Sequence, residues 1–141
     1  MEIRPITKSD YTGYTKLADT GISRDEFNEF LDNVLNTNHR LYVGITSDIV
    51  IGTGTLLIES KLTHGGCKMG HIENITISEK HRNKGMGQKM LQHLIKMATS
   101  AGCYRIDLNC TSELEHFYNT CGFEKKHMCM NIYIQNNFKM N

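Results

Sequence analysis

The clearest chemical signal in the sequence is a short basic turn with two glycines, between a predicted strand and a predicted helix. The turn is RNKGMG, residues 82–87, in which Gly85 and Gly87 allow the backbone N–H groups of residues 83–88 to point at one spot. Because the positive end of the helix faces the same spot and Lys84 adds a charge, the turn is suited to binding a pyrophosphate. A glycine-rich helix start with a solvated basic face fits the same residues, so the spacing leaves both interpretations open.

Other chemical motifs fail in their details. The turn is not a P-loop, because GxxxxGK[ST] is absent, and it is not a dinucleotide-binding motif, because Met90 stands where the third glycine belongs. Cys110 and His116 lie six residues apart across a predicted strand-to-helix turn, which does not indicate a thiol nucleophile with its base. Neither the histidines nor the five cysteines show ligand spacing, so the sequence predicts no metal, no zinc site and no disulfide framework.

Length and charge limit the class of protein and its partners. With 141 residues the chain is predicted to form one domain, residues 1–141. Lys and Arg number 16 and Asp and Glu 15, so the net charge is +1 and neither nucleic acid nor a membrane surface is predicted as a partner. No segment approaches the ~18 apolar residues of a spanning helix, and the first ten residues lack the apolar stretch of a signal peptide. We therefore expect a cytoplasmic protein.

The elements that would position the turn follow from hydrophobic periodicity and from helix signals. Ser9 or Asp10 is predicted to cap the first helix. Ser23 and Glu26 form the S-x-x-E pattern of a capping box, which starts a second helix. Apolar residues at helical spacing predict a buried stripe on this helix (Phe27, Phe30, Leu31, Val34 and Leu35) and another on the helix after the turn (Met86, Met90, Leu91, Leu94, Ile95 and Ala98). The predicted strands are 2–6, 40–46, 49–59, 71–77, 103–109 and 127–134, and the predicted helices are 9–18, 23–35, the segment from the turn to 100, and 113–120.

The order of these elements predicts the topology. Strands with hairpin spacing come first and a strand–helix–strand crossover lies in the middle. The fold class is therefore α/β (α+β), with a single mixed, mostly antiparallel twisted sheet flanked by helices and a central βαβ unit. Gly52 and Gly54 lie inside a strand and predict a bulge or a close backbone approach.

Two motifs resemble those of a known superfamily. The pattern Arg82-x-x-Gly85-x-Gly87 after a strand is similar to the loop with which GNAT acetyltransferases bind the pyrophosphate of acetyl-coenzyme A, and EHFYNTCGF at 115–123 resembles their FY-x-x-x-GF signature. The segments 58–75 (IESKLTHGGCKMGHIENI) and 102–110 (GCYRIDLNC) resemble the glucosamine 6-phosphate N-acetyltransferases of eukaryotic type. The resemblance covers three quarters of the chain. It implies the GNAT fold, acetyl-CoA as cosubstrate without a metal, and a homodimer.

The resemblance also implies a donor site. Tyr118 matches the tyrosine that faces the coenzyme sulfur, and a phenol of pKa ~10 is able to protonate a leaving thiolate. The N–H of Ile75 is expected to polarise the thioester carbonyl. The implied donor-binding residues are Ile75, Thr76, Ile77, Arg82, Asn83, Lys84, Gly85, Met86, Gly87, Gln88, Asn109 and Tyr118.

The implied acceptor is an amino sugar phosphate, and the implied reaction is acetyl transfer to the amine of glucosamine 6-phosphate, towards UDP-N-acetylglucosamine. Glu73 is expected to orient the amine and is a candidate to accept its proton through water, with Asn74 beside it in the catalytic region. The implied substrate-binding residues are Lys61, Leu62, Thr63, His64, Glu73, Asn74, Tyr104 and Arg105.

The chain departs from the family pattern on the acceptor side. Asn74 and Asn109 stand where the family has acidic residues, and the segment 127–134 lacks a phosphate-binding arginine. The identity of the general base therefore stays open. Two alternatives remain beside the hexosamine phosphate acetyltransferase: an acetyltransferase for another small amine, and a coenzyme A-binding protein without efficient transfer, against which the retained Tyr118 and Glu73 argue.

Overall fold

The structure, a computed structural model, describes residues 1–135 and divides into two compact units at Leu108. No helix among these residues is both long enough and apolar enough to cross a membrane. The first unit contains strands β1 (Glu2–Pro5), β2 (His39–Thr46), β3 (Ile49–Ser60), β4 (Lys68–Ile77) and β5 (Cys103–Leu108), and helices α1 (Tyr11–Ala18), α2 (Arg24–Asn33), the single turn α3 (Thr63–Gly66) and α4 (Met86–Ser100). The second unit contains helix α5 (Glu115–Thr120).

The five strands form one sheet in the order β1-β2-β3-β4-β5. The first three pairs are antiparallel: helices α1 and α2 connect β1 to β2, a two-residue turn connects β2 to β3, and the loop with α3 connects β3 to β4. Strand β4 pairs with β5 in parallel through the crossover helix α4. The predicted mixed, mostly antiparallel sheet with its central βαβ unit is thereby confirmed.

A bulge interrupts the pairing of β3 with β4. Thr53 pairs with Thr76 but Thr55 pairs with Glu73, so two residues of β4 lie opposite Gly54 alone. A Cβ on Gly54 would lie 2.9 Å from Leu94 Cδ1, which shows how closely α4 approaches the strand. The bulge and the close approach predicted at this glycine are both present, with the extra residue on β4.

Apolar side chains cover both faces of the sheet. On one face α4 buries a stripe that is fully inaccessible to solvent, consisting of Met90, Leu91, Leu94 and Ala98. On the other face Phe27 of α2 packs with Ile6, Leu41 and Val43. Both stripes were predicted from their helical spacing, but Val34, predicted to belong to the stripe of α2, is 38% exposed because α2 ends one residue before it.

Capping interactions fix the starts of the first two helical segments. The capping box is confirmed: Ser23 N–H donates to Glu26 Oε2 at 2.7 Å, and Glu26 N–H donates to Ser23 Oγ at 3.2 Å. The first segment starts earlier than predicted, with Thr7 as the N-cap and its N–H donating to Asp10 Oδ2 at 2.7 Å. Asp10 therefore occupies position N3 of this capping box, and the bidentate hydrogen bond from Arg4 lowers its pKa.

The predicted strand 127–134 is wrong. Residues 123–133 have no regular secondary structure, and Met128, Met130, Ile132 and Ile134 are 86–90% exposed. A strand needs a neighbour that satisfies its backbone N–H and C=O groups, and the part of the second unit that the structure describes contains no other strand. Strand β4 also begins three residues earlier than predicted, because Lys68 pairs with Ser60.

Candidate active site

The glycine turn lies at the start of α4, and its residues 82–85 are exposed. Gly85 is the N-cap residue with φ +79°, a conformation that favours glycine, and nothing lies within 4 Å of the position of a Cβ there. The first turn of α4 has no acidic residue, so its free N–H groups and Lys84 present only positive charge. Arg82 Nε donates to the carbonyl of Ile77 at 3.0 Å, which fastens the turn to the end of β4.

The second half of β4 presents an unpaired edge. Pairing with β5 ends at Ile72 and Leu108, whereas β4 continues to Ile77. Within residues 1–108 no strand pairs with the β5 side of Glu73–Ile77. Asn74, with φ +53°, is the bulged residue, and the bulge changes the direction in which the following N–H, that of Ile75, points. This edge can accept an extended ligand by strand-like hydrogen bonds.

The loop after β3 lies beside β5. His64 and Gly65 adopt left-handed conformations, with φ 51° and 74°, and Lys61 N–H closes the loop by donating to Cys67 O at 2.8 Å. The ring of His64 stacks at 5.4 Å from the ring of Tyr104. The structure thus brings together loop residues and strand residues that the sequence analysis selected separately, although Leu62 is 99% exposed and contributes no apolar packing.

Arg105 of β5 also lies against Tyr104. The guanidinium carbon of Arg105 lies 5.7 Å from the centroid of the Tyr104 ring, and its NH2 group donates to Met69 Sδ at 3.4 Å. Tyr104 thus has the imidazole of His64 and the guanidinium of Arg105 beside it, two groups of the kinds that bind phosphates.

A cluster of three ionisable side chains was missed by the sequence analysis. His71 of β4 lies between two carboxylates: its Nδ1 is 2.5 Å from Asp107 Oδ1 on β5, and its Nε2 is 2.9 Å from Glu59 Oε1 on β3. Lys61 Nζ is 3.8 Å from the other oxygen of Glu59. The only available signal was the alternation of polar residues in the strands, because the register that aligns them is a tertiary property.

The second unit holds Tyr118. It lies on α5, where its ring makes edge contacts with Phe117 at 5.0 Å and Phe123 at 6.1 Å. Burial, followed by the neighbouring thiols of Cys110 and Cys121, raises the pKa of Tyr118 above its ordinary value. The phenol is therefore protonated at neutral pH and available as a proton donor. Asn109, also expected in the donor site, is the first residue of this unit.

Comparison with protein families gives one match that spans both units. The model described as "Acetyltransferase (GNAT) family" matches residues 3–123.

Two sequences and one solved structure illustrate the similarity. Glucosamine 6-phosphate N-acetyltransferase of Candida albicans is 33% identical over 106 residues, 73% of this chain and 71% of the relative. Glucosamine 6-phosphate N-acetyltransferase 1 of Oryza sativa subsp. japonica is 35% identical over 80 residues, 57% of this chain. The chain spans about half the length of the rice relatives it matches. The crystal structure of glucosamine-6-phosphate N-acetyltransferase from Arabidopsis thaliana superimposes with a TM-score of 0.89 at 30% identity, covering 95% of this chain and 98% of that one.

Proposed function

Because the chain belongs to the acetyltransferase (GNAT) family, we propose that it transfers the acetyl group of acetyl-CoA to the amine of D-glucosamine 6-phosphate. The products are N-acetyl-D-glucosamine 6-phosphate and coenzyme A, on the route to UDP-N-acetylglucosamine. The observation that carries this proposal is the near-complete superposition on the Arabidopsis enzyme. The local geometry supports it, because His64 and Arg105, which are suited to a phosphate, lie against Tyr104 of β5, the strand next to the bulged β4.

The donor site uses the glycine turn and the free edge of β4. Backbone N–H groups of residues 83–88, with Lys84, hold the pyrophosphate, and Arg82 keeps the turn attached to β4. Ile75, Thr76 and Ile77 offer backbone hydrogen bonds to the extended arm of the coenzyme. Acetyl-CoA supplies an activated acetyl thioester, whose carbonyl oxygen accepts a hydrogen bond from Ile75 N–H as negative charge develops. Tyr118 donates its phenolic proton to the leaving thiolate.

The acceptor site uses the loop 61–64 and the face of β4 and β5 that lies opposite α4. Lys61, His64 and Arg105 bind the phosphate, and the ring of Tyr104 contacts both the ring of His64 and the guanidinium of Arg105. Glu73 is exposed on the same face as His71 and orients the amine towards the thioester. Thr63 and Asn74 offer neutral hydrogen-bonding groups to the sugar, and Leu62 contributes its backbone.

The first experiment follows thiol release from acetyl-CoA with glucosamine 6-phosphate, with glucosamine and glucosamine 1-phosphate as controls. Fast release that requires the 6-phosphate is the expected result. Equal rates with all three acceptors, or no thiol release with any of them, would contradict glucosamine 6-phosphate as the acceptor. Neither result would affect the assignment to the acetyltransferase family. Asn74 and Asn109 favour one second candidate, an acetyltransferase for another small amine, and a screen of amines distinguishes it.

A neutral residue at position 61 should weaken phosphate binding specifically. We expect Lys61→Met to raise the KM for glucosamine 6-phosphate by about 10- to 100-fold, because a charge-assisted hydrogen bond contributes about 1.5–3 kcal/mol. The KM for acetyl-CoA should change less than about 2-fold. Lys96→Met, on the exposed side of α4, is the matched control. Equal effects of the two substitutions would contradict a phosphate-binding role of Lys61.

We also propose that residues 1–141 act as one catalytic domain and that the protein is a homodimer. The family match spans both units, which supports a single domain. The exposed apolar side chains of Met128, Met130, Ile132 and Ile134 support a subunit interface, because an apolar patch of this kind is unstable in water. Light scattering should give twice the chain mass of 16.1 kDa. A measured mass equal to that of one chain at micromolar concentration would contradict the proposed homodimer.

A further inference from the structure

A line of three ionisable side chains, Glu59–His71–Asp107, crosses strands β3, β4 and β5 on one face of the sheet. The faces of β4 and β5 are set by Gly70, which lies under α4 with Ala98 and Ile106 around the position of its Cβ. Since side chains alternate along a strand, His71 and Asp107, which pair in the sheet, lie on the opposite, outer face. Glu59 and Asp107 are each 51% exposed, and His71 is 28% exposed.

The two side-chain contacts of His71 favour its protonated form. Both ring nitrogens lie at hydrogen-bond distance from carboxyl oxygens, and an imidazolium donates to two ionised carboxylates through both nitrogens. Burial lowers the pKa of His71, but the hydrogen bonds to Glu59 and Asp107 outweigh it and hold the pKa above its ordinary value. The ring is thus built to take up one proton, with a carboxylate on each side to stabilise the imidazolium.

The cluster lies beside the residue expected to orient the amine. Glu73 is two residues beyond His71 on the same face, a separation of roughly 6.6 Å that one water molecule can bridge. Positions 74 and 109 are both asparagine, so neither supplies a carboxylate to the amine. With Glu73 occupied in orienting the amine, His71 is the imidazole two residues away on the same face that can take its proton.

We propose, on the basis of the proposed function, that His71 accepts the proton released by the acceptor ammonium, and that Asp107 and Glu59 are positioning residues for its ring. One N–H bond of the ammonium breaks, and the proton passes through a water beside Glu73 to Nε2 of neutral His71. The free amine then forms the C–N bond as the C–S bond breaks, the leaving thiolate takes the phenolic proton of Tyr118, and the nitrogen loses its second proton through water to the tyrosinate. The hydrogen-bonded ring seen in the structure is the state after proton uptake, and half-exposed Glu59 gives the proton a route to solvent.

The charged groups around the His71 ring determine how kcat/KM should depend on pH. Glu59 and Asp107 contact it directly, Lys61 contacts Glu59, and Arg105 and Glu73 lie two residues along β5 and β4 on the same face. We expect kcat/KM to rise with pH as His71 loses its proton. Asp107→Asn removes a carboxylate that raises the pKa of His71, so the acid limb should move to lower pH by about one unit.

The test measures kcat/KM against pH by thiol release for the wild-type protein, His71→Gln, Asp107→Asn and Glu59→Gln. The acceptor ammonium titrates identically in every assay, so a difference between the pH profiles of two variants comes from ionisable groups of the protein. His71→Gln should lower kcat about 100-fold, the lower end of the range for a lost proton acceptor. His39→Gln, a histidine packed on Phe30 at the start of β2, is the control and should match the wild-type protein.

Each outcome decides the question. An acid limb that stays in place in both Asp107→Asn and Glu59→Gln, or a His71→Gln enzyme with the wild-type profile, would overturn the role of His71. If a His71→Gln variant is unfolded by circular dichroism, the carboxylate variants still decide through the position of the limb. If none of the amino sugar phosphates causes the wild-type protein to release thiol from acetyl-CoA, the proposed function has failed and this inference fails with it. If the wild-type protein is active with glucosamine 6-phosphate and the three variants have the same rates and pH profiles, the role of His71 is contradicted and the proposed function stands.

Discussion

Replacement of Tyr118 by phenylalanine is expected to lower kcat by about 100-fold and to leave the KM for acetyl-CoA within about 3-fold of the wild-type value. The substitution removes only the hydroxyl group, so the ring keeps its edge contacts with Phe117 and Phe123. The loss falls on the step in which the thiolate leaves, because a positioned proton donor contributes about 10²–10⁴ to such a step. Thiol release at saturating acetyl-CoA measures it.

Tyr14→Phe is the matched control for this substitution. Tyr14 is also partly buried, packs its ring 5.8 Å from that of Phe27 and has a pKa raised by burial. It lies on α1, outside the proposed donor and acceptor sites, and its loss should leave kcat unchanged. If Tyr118→Phe retains more than about a third of the wild-type kcat, the phenol is not the proton donor, and solvent must protonate the thiolate.

The second large effect concerns stability. Leu94→Ala should lower the free energy of unfolding by about 3–5 kcal/mol, the range for leucine truncations that leave a cavity. Leu94 is fully buried, and its Cδ1 fills the space above Gly54, where no side chain of the strand can replace it. Domains of this size are stable by only ~5–15 kcal/mol, so the melting temperature should fall by roughly 10 °C.

Urea unfolding at a fixed protein concentration, followed by circular dichroism, measures this loss. Gln92→Ala on the exposed side of the same helix is the control and should change stability by less than about 0.5 kcal/mol. A loss below about 1 kcal/mol for Leu94→Ala would mean that α4 and β3 move together and close the cavity. The bulge that we propose to position the thioester carbonyl would then tolerate movement of the helix.

The sequence by itself determined the features that depend on neighbours along the chain. The capping box of Ser23 and Glu26, the stripe of α4 and the glycine turn at 82–87 all act within one or two turns of helix, so residue spacing is sufficient to predict them. The order of hairpins and crossover was also sufficient for the mixed sheet, because few topologies connect those elements without crossing. The resemblance to the acetyltransferases followed from the same local motifs.

Only the tertiary structure decided which extended segments are strands and which side chains meet across the sheet. Alternating residues at 127–134 predict an extended segment, but a strand also needs a partner, which residues 109–135 do not contain. The same limit applies to Glu59, His71 and Asp107, which are distant in sequence and meet because the registers of β3, β4 and β5 align them. A shift of one residue in either register would turn these side chains to the opposite face, so no local pattern could have revealed the cluster.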